Sequence, residues 1–497
     1  MPETGKYLNS LFLNSLTKFG ANIALQNCAG KKITYSQLKY NCLENNFFKN
    51  KLKGSEHGLI AIYSEKNPET VELMLSVLLS GNSYLPLDFY SPPERIIHIL
   101  RDSDVKALVL ENKTSKLLLE TLLDLNLDFI TEKYNENYSV LIFRNFRIYT
   151  PDTAYILYTS GSTGVPKGVI HTQVSAFSFV NWCNCTFNFK EGTNFISIAP
   201  FSFDISVLDI YSALSCGGTL FIPTNNETSN SRLMAKYIGD FKINVLYSTP
   251  TFFRTLKNYG KIEAANFESV NYVLYAGEAL QSNLVLDMMK HFTNAKQFNL
   301  YGPTETNVCC YHPIDLNKIL PNTFIPIGKA CNDAQFYLPK NGEHYELFIA
   351  SKSLMKGYVG IKNNFLERNG DLFYDSGDLV VKNSEGLLIF KGRKDKMVKR
   401  HGYRIEIAEI DNCIAGFKEI KEHSIAVTDK EASVKIVVFF VADGKISELQ
   451  LKEYCLKKIP SYMIPDFFIQ VEKLNINTNF KTDLNKLLKE NDFRYIS

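Results

Sequence analysis

The amino-acid sequence predicts an α/β fold in which a large domain of parallel sheets and helices is followed by a smaller domain. Short apolar segments alternate with helix-like segments, as where LIAIYS from Leu59 precedes PETVELMLSVLLSG, and this alternation recurs from Thr153, Asn194 and Asn244. Such a rhythm is typical of parallel strands covered by helices. The length of 497 residues also exceeds what one hydrophobic core usually organises. We therefore expect two domains.

The domain boundary is predicted from a change of pattern after about Asp371. Short segments rich in Gly, Lys and Asp replace the strand-helix alternation there, and KIVVFFVADG and the helix-like ISELQLKEYCLKKI follow. We place the boundary between Lys394 and Asp395. The predicted domains are 1–394 and a compact α+β domain at 395–497.

Composition and charge exclude several classes of function. The chain has 55 basic and 52 acidic side chains and a formal charge of +3, without a long basic block, so no nucleic-acid partner is expected. The apolar segments are too short to span a bilayer and the amino terminus lacks a signal pattern, so we expect no membrane partner and a cytoplasmic location. The ten cysteines show no zinc-ligand spacing and are expected to be reduced, buried thiols.

The segment YTSGSTGVPKGV from Tyr158 has the composition of a phosphate-binding loop. Glycine lets the main chain approach phosphate, hydroxyls donate hydrogen bonds to it, and Lys167 would neutralise the charge of a departing pyrophosphate. The alternative is a polar surface turn. A kinase or GTPase loop is disfavoured, because Gly168 follows the lysine where Ser or Thr is required. The predicted phosphate-binding residues are Thr159, Ser160, Gly161, Ser162, Thr163, Gly164 and Lys167.

Further motifs follow in a fixed order: ITYSQL at Ile33, YLPLD at Tyr84, FSFDIS at Phe201, YGPTE at Tyr301, YDSGD at Tyr374, GRKDKMVKRHGYRIE at Gly392, and a late lysine at Lys481. Together they resemble the adenylate-forming superfamily, and in particular stand-alone amino acid adenylation domains of the non-ribosomal peptide synthetase type. The resemblance implies a β-barrel-like subdomain within the large domain and a mobile small domain. It also implies ATP and magnesium as cofactors.

The resemblance assigns roles in nucleotide binding to several residues. Tyr301 would stack on adenine, Thr304 would donate to the α-phosphate, and Glu305 would ligate magnesium. Asp378 would accept hydrogen bonds from the ribose hydroxyls with assistance from Arg393. The residues that match the lining of the adenine site are Ala276, Gly277, Glu278, Asn299 and Gly302. For YGPTE the alternative is a turn built on Gly302 and the following proline.

Two half-reactions are implied by the same resemblance. A carboxylate attacks the α-phosphorus of ATP with loss of pyrophosphate, while Lys481 bridges the carboxylate and the phosphate. A thiol then attacks the mixed anhydride after the small domain rotates about a hinge at Asp395. Because the chain ends shortly after Lys481, the expected partner is a phosphopantetheinylated carrier protein that acts in trans.

The expected substrate is a small or medium uncharged amino acid. Asp204 in FSFDIS matches the aspartate that amino-acid-activating members use to hold the substrate's ammonium group. Nothing charged among the matched pocket positions faces the substrate's side chain, so a charged side chain would lack a partner there. These predicted substrate-binding residues are Ile205, Leu208, Tyr247, Leu274, Ala276, Leu300, Val308 and Cys309, and Lys481 completes the set.

Other interpretations remain open at this point. FDISVLD is similar to the matching stretch of D-alanine:D-alanyl carrier protein ligases, but Ala276 stands where those enzymes typically carry cysteine, so D-alanine is one candidate. An acyl-CoA synthetase would share every nucleotide-binding motif and is disfavoured by Asp204. A nucleotide-binding pseudoenzyme is disfavoured by the presence of Lys167, Glu305, Asp378 and Lys481.

Overall fold

The computed structural model describes residues 6–52, 56–113, 115–125, 127–161, 164–331, 333–394, 397–430, 433–474, 484 and 487–488. The chain divides into two compact units. The first comprises Met1–Phe89, Leu100–Tyr158 and Gly168–Lys394, and the second comprises Tyr90–Ile99, Thr159–Lys167 and Asp395–Ser497. Two short segments upstream of Lys394 thus cluster with the carboxy-terminal part of the chain. The division into functional domains 1–394 and 395–497 stays a prediction.

The α-helices in chain order are α1 Leu8–Lys18, α2 Tyr35–Lys39, α3 Phe47–Lys51, α4 Pro68–Leu79, α5 Pro93–Ser103, α6 Lys116–Asp124, α7 Gln173–Phe187, α8 Ile205–Cys216, α9 Asn225–Ser229, α10 Ser231–Asp240, α11 Pro250–Tyr259, α12 Ser282–Met288, α13 Ile407–Ala415 and α14 Glu448–Leu456. A π-helix at Tyr40–Glu44 and 3₁₀ turns at Ile262–Ala264 and Ser461–Met463 complete the helical segments of the described chain.

The strands in chain order are β1 Ile23–Asn27, β2 Lys32–Thr34, β3 Leu59–Tyr63, β4 Ser83–Pro86, β5 Ala107–Glu111, β6 Phe129–Lys133, β7 Tyr138–Phe143, β8 Thr153–Thr159, β9 Lys167–Thr172, β10 Asn194–Ile196, β11 Thr219–Ile222, β12 Val245–Ser248, β13 Tyr272–Tyr275, β14 Lys296–Tyr301, β15 Cys310–Pro313, β16 Lys329–Ala330, β17 Gln335–Tyr337, β18 Lys340–Asn341, β19 His344–Ala350, β20 Gly357–Tyr358, β21 Leu366–Arg368, β22 Asp371–Lys382, β23 Leu388–Arg393, β24 Met397–Arg400, β25 Tyr403–Glu406, β26 Ile420–Lys430, β27 Ser433–Ala442 and β28 Phe467–Gln470.

Two sheets with parallel centres form the body of the first unit. One has nine strands in the order β16-β15-β14-β13-β12-β10-β11-β1-β2, and the other has eight in the order β20-β9-β8-β4-β3-β5-β7-β6. Parallel pairing is confined to inner strands, such as β10 with β12 and β3 with β4, and antiparallel strands lie at the edges. This architecture confirms the α/β class predicted from the alternating segments.

The local sequence explains why these elements form. Every residue of β3 is buried, as expected for a central parallel strand covered on both faces. The next helix, α4, begins with Pro68 at its first turn, and the Asn67 side chain accepts a hydrogen bond from the Thr70 amide. Both features are typical helix starts.

A six-stranded antiparallel sheet of β17, β18, β19, β21, β22 and β23 also belongs to the first unit. Its β22 and β23 pair so that Asp378 lies opposite Arg393, which places both residues at the same position along the sheet.

The carboxy-terminal part of the second unit is α+β. Strands β26, β27 and β28 form a three-stranded sheet, and β24 pairs with β25. Apolar side chains of α13 and α14 pack with those of β27 around Ile410, Leu451 and Val438. Within the part of the chain that the structure describes, no helix is long and apolar enough to cross a membrane.

The thiols are reduced, as predicted, but they are not all buried. Cys185 is exposed, and Cys28 and Cys216 are half-buried. The expectation of ten buried cysteines is therefore wrong at these positions. Cys185 lies on α7, whose opposite face supplies the core residues Val180, Cys183 and Phe187.

Candidate active site

Four neighbouring parallel strands of the nine-stranded sheet end at one edge. These strands, β14, β13, β12 and β10, are adjacent in that order and pair in parallel. The register places Ser248 opposite Tyr275, and Tyr275 opposite Asn299. The segments that follow these strands therefore start side by side. In open α/β sheets, ligands bind at this carboxyl edge.

Most of the predicted site residues of the first unit lie at or just beyond this edge. Asp204 follows β10, Ala276–Glu278 follows β13, and Gly302–Glu305 follows β14. Tyr247 lies next to the last residue of β12. The sheet thus brings together residues that are separated by about a hundred positions in the sequence.

The predicted substrate pocket is an apolar cluster on one face of this sheet. Tyr247, Leu274 and Leu300 alternate with residues that point to the opposite face, so they share one side. All three belong to the same buried cluster as Ile205, Leu208, Ala276 and Val308. Cys309 packs instead with Tyr301 and Cys310 in a different cluster. The predicted pocket role of Cys309 gains no support from this packing.

Asp204 occupies the N-cap position of α8 and is half-buried. The amino end of a helix favours a negative charge. Burial, followed by the charge of Asp204, raises the pKa of the Tyr247 phenol. The carboxylate therefore lies close enough to the apolar cluster to influence it electrostatically.

Asp378 is the centre of a buried polar group on β22. Its side chain is 1% exposed, and its two oxygens accept hydrogen bonds from the Tyr301 hydroxyl and from the Arg393 guanidinium. Burial and the neighbouring carboxylate raise the pKa of Tyr301, so its phenol keeps its proton and remains a donor. Asp378 is thus in direct contact with Tyr301 and Arg393, the residues to which the resemblance assigns adenine stacking and assistance at the ribose.

The loop after β14 carries Gly302, Thr304 and Glu305. A Cβ atom at Gly302 would lie 1.8 Å from the Asn307 carbonyl oxygen, so the loop closes on itself only because this residue is glycine. The Glu305 side chain is fully buried, and one carboxylate oxygen accepts a hydrogen bond of 2.7 Å from the Tyr358 hydroxyl.

His171 and Tyr358 support this loop, and neither is predicted from the sequence. His171 is fully buried, and its Nε2 lies 2.8 Å from the Thr304 carbonyl oxygen. A carbonyl only accepts, so Nε2 carries the proton. Burial lowers the pKa of His171 to about 4, so the ring is neutral at pH 7. The only sequence signal for His171 is its position in the strand-like KGVIHT that follows the phosphate loop, and Tyr358 carries none.

Two residues predicted to line the adenine site have structural hydrogen bonds. The Asn299 amide donates to the carbonyl oxygens of Pro326 at 2.9 Å and Ile325 at 3.3 Å. The Glu278 carboxylate accepts from the amide and hydroxyl of Thr251 at 2.9 and 2.7 Å, which stabilises the first turn of α11. Gly277, which precedes Glu278 in the chain, adopts a positive φ of 86°.

The described part of the phosphate loop belongs to the second unit. Ser160 is buried, and its hydroxyl donates to the Arg404 carbonyl oxygen at 2.7 Å and accepts from the Glu406 amide at 3.2 Å. Gly164 has a φ of 78°, and a Cβ atom there would lie 1.9 Å from the Asn412 side-chain nitrogen. These neighbours are protein groups, whereas the sequence predicts phosphate at this loop.

The other predicted site residues of the second unit divide into those that the structure describes and those that it does not. Thr159 ends β8, Gly161 follows Ser160, and Lys167 begins β9 as a half-buried side chain. Ser162, Thr163, the hinge residue Asp395 and the late lysine Lys481 lie outside the described residues. Their roles stay predictions.

Comparison with known proteins identifies the class to which this fold and site belong. The family model described as AMP-binding enzyme matches residues 12–359, and the chain belongs to this family. The assignment confirms the adenylate-forming superfamily indicated by the ordered motifs.

Individual relatives and solved structures show which proteins the chain is similar to. The chain is 30% identical over 443 residues to an L-proline–[L-prolyl-carrier protein] ligase of Pseudomonas fluorescens, covering 85% of this chain and 87% of that protein. It is 29% identical to a D-alanine–D-alanyl carrier protein ligase of Lacticaseibacillus casei, covering 93% and 94%. The Vibrio cholerae adenylation domain AlmE, solved with glycyl-adenosine-5'-phosphate, matches with a TM-score of 0.82 and 21% identity over 98% of both chains. That last likeness shows the fold alone.

The neutral His171 predicts a pH-dependent stability. Because burial holds its folded pKa near 4 while an unfolded histidine has a pKa near 6.5, the unfolded chain binds a proton first as the pH falls. The stability that the neutral His171 contributes is fully present above pH 6.5 and is lost as the pH falls toward 4. This loss should lower the free energy of unfolding by about 2 kcal/mol on going from pH 7 to pH 5. Urea denaturation without ligands measures the change.

The matched variant is His171→Gln, whose amide can donate to Thr304 but does not titrate. We expect this variant to lose that part of the pH dependence while keeping most of its stability at pH 7. An unchanged slope between pH 7 and pH 5 in the variant would contradict the assignment to His171.

Proposed function

We propose that this protein activates a small or medium uncharged amino acid as its aminoacyl-AMP and transfers the acyl group to the thiol of a separate carrier protein. The observation that carries the proposal is the position of Asp204, which begins α8 beside the apolar cluster that contains Tyr247. A carboxylate beside a group of uncharged side chains suits a ligand with an ammonium group and an apolar side chain. The relatives named as proline and D-alanine carrier protein ligases support the same class.

In the first half-reaction, a substrate carboxylate oxygen attacks the α-phosphorus of ATP, and pyrophosphate leaves. Such a reaction needs positioning and charge stabilisation rather than a protein nucleophile. Asp378, fixed by Arg393 and Tyr301, would receive the ribose hydroxyls. Thr304 would donate to the α-phosphate, and Lys167 and Lys481 would offset charge on the pyrophosphate and at the reacting phosphorus.

Magnesium is part of this proposal. Glu305 offers a buried oxygen donor that Tyr358 holds in place, and Mg²⁺ is usually bound by one or two carboxylates together with substrate phosphates and water. Within the described residues, no group of three or more His, Cys, Asp or Glu side chains forms a metal site. The donor chemistry therefore fits a cation that arrives with ATP, for which Glu305 would supply a ligand.

In the second half-reaction, the phosphopantetheine thiol attacks the acyl carbon, and AMP leaves as the C–O bond of the mixed anhydride breaks. The hinge at Asp395 and rotation of residues 395–497 are proposed from the resemblance. The carrier protein is proposed to act in trans and the location to be cytoplasmic.

Replacing Asp204 by Ala should greatly weaken amino-acid activation while nucleotide binding survives, because the substrate's ammonium group loses its counter-charge. We expect amino-acid KM in ATP–pyrophosphate exchange to rise about 100-fold, while ATP binding measured by calorimetry changes little. The isosteric Asp204→Asn variant should show nearly the same defect, since an amide keeps the shape without the charge.

The substrate panel for this assay should contain glycine, D- and L-alanine, L-proline, lysine, glutamate, and simple fatty and aryl acids. Exchange with small uncharged amino acids and silence with charged ones is expected. Exchange only with fatty or aryl acids would instead favour an acyl-CoA synthetase, and full activity of Asp204→Ala would refute the ammonium assignment.

The adenosine-binding assignment predicts a selective effect of Asp378→Asn. The amide keeps the volume but offers only one acceptor oxygen to ribose, and Arg393 loses its ion-pair partner. We expect the KM for ATP to rise about tenfold, with a smaller effect on the KM for the amino acid. Asp287→Asn, which disrupts an ion pair with Lys257 near the surface, is the matched control and should leave both values unchanged.

The metal assignment predicts that Glu305→Gln requires more magnesium. Removing one anionic ligand should raise the Mg²⁺ concentration for half-maximal exchange about tenfold at saturating ATP. Glu346→Gln, which removes an exposed partner of Lys394, serves as the control. An identical magnesium titration for Glu305→Gln and the unmodified enzyme would exclude Glu305 as a ligand.

A further inference from the structure

Lys66 is a buried cation outside the motifs that carry the proposed function. It lies between β3 and α4, and its side chain is 3% exposed. Its ammonium donates hydrogen bonds to the carbonyl oxygens of Ser197 at 2.7 Å, Ile198 at 3.1 Å and Ala199 at 3.5 Å. Burial lowers the pKa of this ammonium to about 7. One side chain therefore holds three consecutive main-chain carbonyls.

These carbonyls belong to a different sheet from the one that carries Lys66. The lysine follows β3 of the eight-stranded sheet, whereas Ser197 follows β10 of the nine-stranded sheet. Lys66 thus connects the carboxyl edges of both sheets within the first unit. The segment that it holds runs directly into the Pro200–Phe203 turn and Asp204.

Asp209 lies on the other side of Asp204 along the chain. It is on α8, its side chain is 1% exposed, and neither carboxylate oxygen has a hydrogen-bond partner among the described residues. Burial raises its pKa, and the charge of Lys66 opposes that rise. Besides Asp209, the titratable groups that act on Lys66 are Cys28 and Glu227. Lys66 acts on this carboxylate through its charge, and no hydrogen bond joins the two side chains.

The local main chain alone does not fix the direction of Asp204. The turn has hydrogen bonds from the Phe203 amide to the Pro200 carbonyl at 3.1 Å and from the Val207 amide to the Asp204 carbonyl at 3.0 Å. Both bonds are internal to the turn and the helix. The Ser197 amide donates to the Phe221 carbonyl oxygen at 2.8 Å, which ties the start of the segment to β11 of the nine-stranded sheet. Lys66 adds the tie to the eight-stranded sheet, through the carbonyls before Asp204 and through its charge acting on Asp209 after it.

Stability does not require a lysine at this place. Burying an ammonium is unfavourable, and an apolar pair of similar volume often serves a fold as well as a buried ion pair. Holding three successive main-chain carbonyls in one arrangement does require a lysine here, since only a donor group with several protons can bond to all of them.

We infer that Lys66 is a positioning residue for amino-acid recognition, which holds the Ser197–Asp209 segment so that Asp204 meets the substrate's ammonium group. The inference rests on the proposed function, because it concerns the same carboxylate. Lys66 is not expected to touch the substrate, and its effect should appear in the KM for the amino acid rather than in the KM for ATP.

The test separates positioning from folding with a double variant. Lys66→Met alone leaves Asp209 buried without its cation and is expected to lower the melting temperature. In Lys66→Met combined with Asp209→Leu, both charges are gone, and the melting temperature should return toward that of the unmodified enzyme. The KM for the amino acid in pyrophosphate exchange should nevertheless remain about tenfold higher, with the KM for ATP within about twofold.

Lys106→Met is the matched control. Lys106 is also buried and donates to one main-chain carbonyl, that of Glu56 at 2.9 Å, but it precedes β5 at the opposite end of the eight-stranded sheet. Its loss should lower stability without changing either KM.

Four outcomes would overturn the inference. The double variant could recover both its melting temperature and its KM for the amino acid, or its KM could change no more than that of Lys106→Met. If the double variant does not fold, the Lys66→Arg variant provides the test. The planar guanidinium keeps the charge but cannot reproduce the three carbonyl contacts. An unchanged KM for the amino acid in this variant would refute the positioning role. Finally, if the unmodified enzyme exchanges pyrophosphate with no amino acid, the proposed function fails first and this inference falls with it.

Discussion

The parallel register of β10, β12, β13 and β14 is the constraint on which the candidate site depends. In a strand, alternate residues face opposite sides, so a slip of one residue exchanges the two faces. A one-residue slip of β13 against β12 would replace Leu274 by Tyr275 on the face that also carries Tyr247 and Leu300. The same slip would move the glycine-containing turn after β13 relative to the loop after β14. Hydrogen bonds between the strands thus set both the shape of the apolar cluster and the alignment of the loops at its edge.

Two buried carboxylates near this edge accept hydrogen bonds from tyrosine hydroxyls, and burial keeps those hydroxyls protonated. Tyr301 donates to Asp378 and Tyr358 donates to Glu305. In each case burial first, and the neighbouring carboxylate second, raise the pKa of the phenol, so both tyrosines keep their protons at neutral pH. A phenol can stabilise a carboxylate without neutralising it, which leaves the negative charge available to a cation or a ribose hydroxyl. At Asp378, Arg393 also adds a full positive charge.

The sequence predicted those features that a single short segment determines, such as a strand, a helix or a binding motif. Alternating apolar and helical segments predicted the parallel sheets, and the ordered motifs predicted the family and the residues after β10, β13 and β14. Contacts between distant segments could not be predicted this way. Nothing in the local sequence links His171 to Thr304 or Lys66 to Ser197, because strand order rather than sequence spacing creates these neighbours. Glu278 and Asn299 show the same limit, since their matched positions did not reveal their hydrogen bonds to Thr251 and Pro326.

The phosphate loop shows how a predicted binding group can first serve the protein itself. A serine hydroxyl has a single proton to donate, and in Ser160 that proton goes to the Arg404 carbonyl oxygen. Ser160 therefore cannot donate to a phosphate oxygen while this bond persists. Gly164 also lies close to α13 of the same unit, next to Ala408 and Asn412. If phosphate takes the donor at Ser160, the Arg404 carbonyl must find another partner, so occupancy of this loop and the main-chain bonding of β25 are energetically coupled.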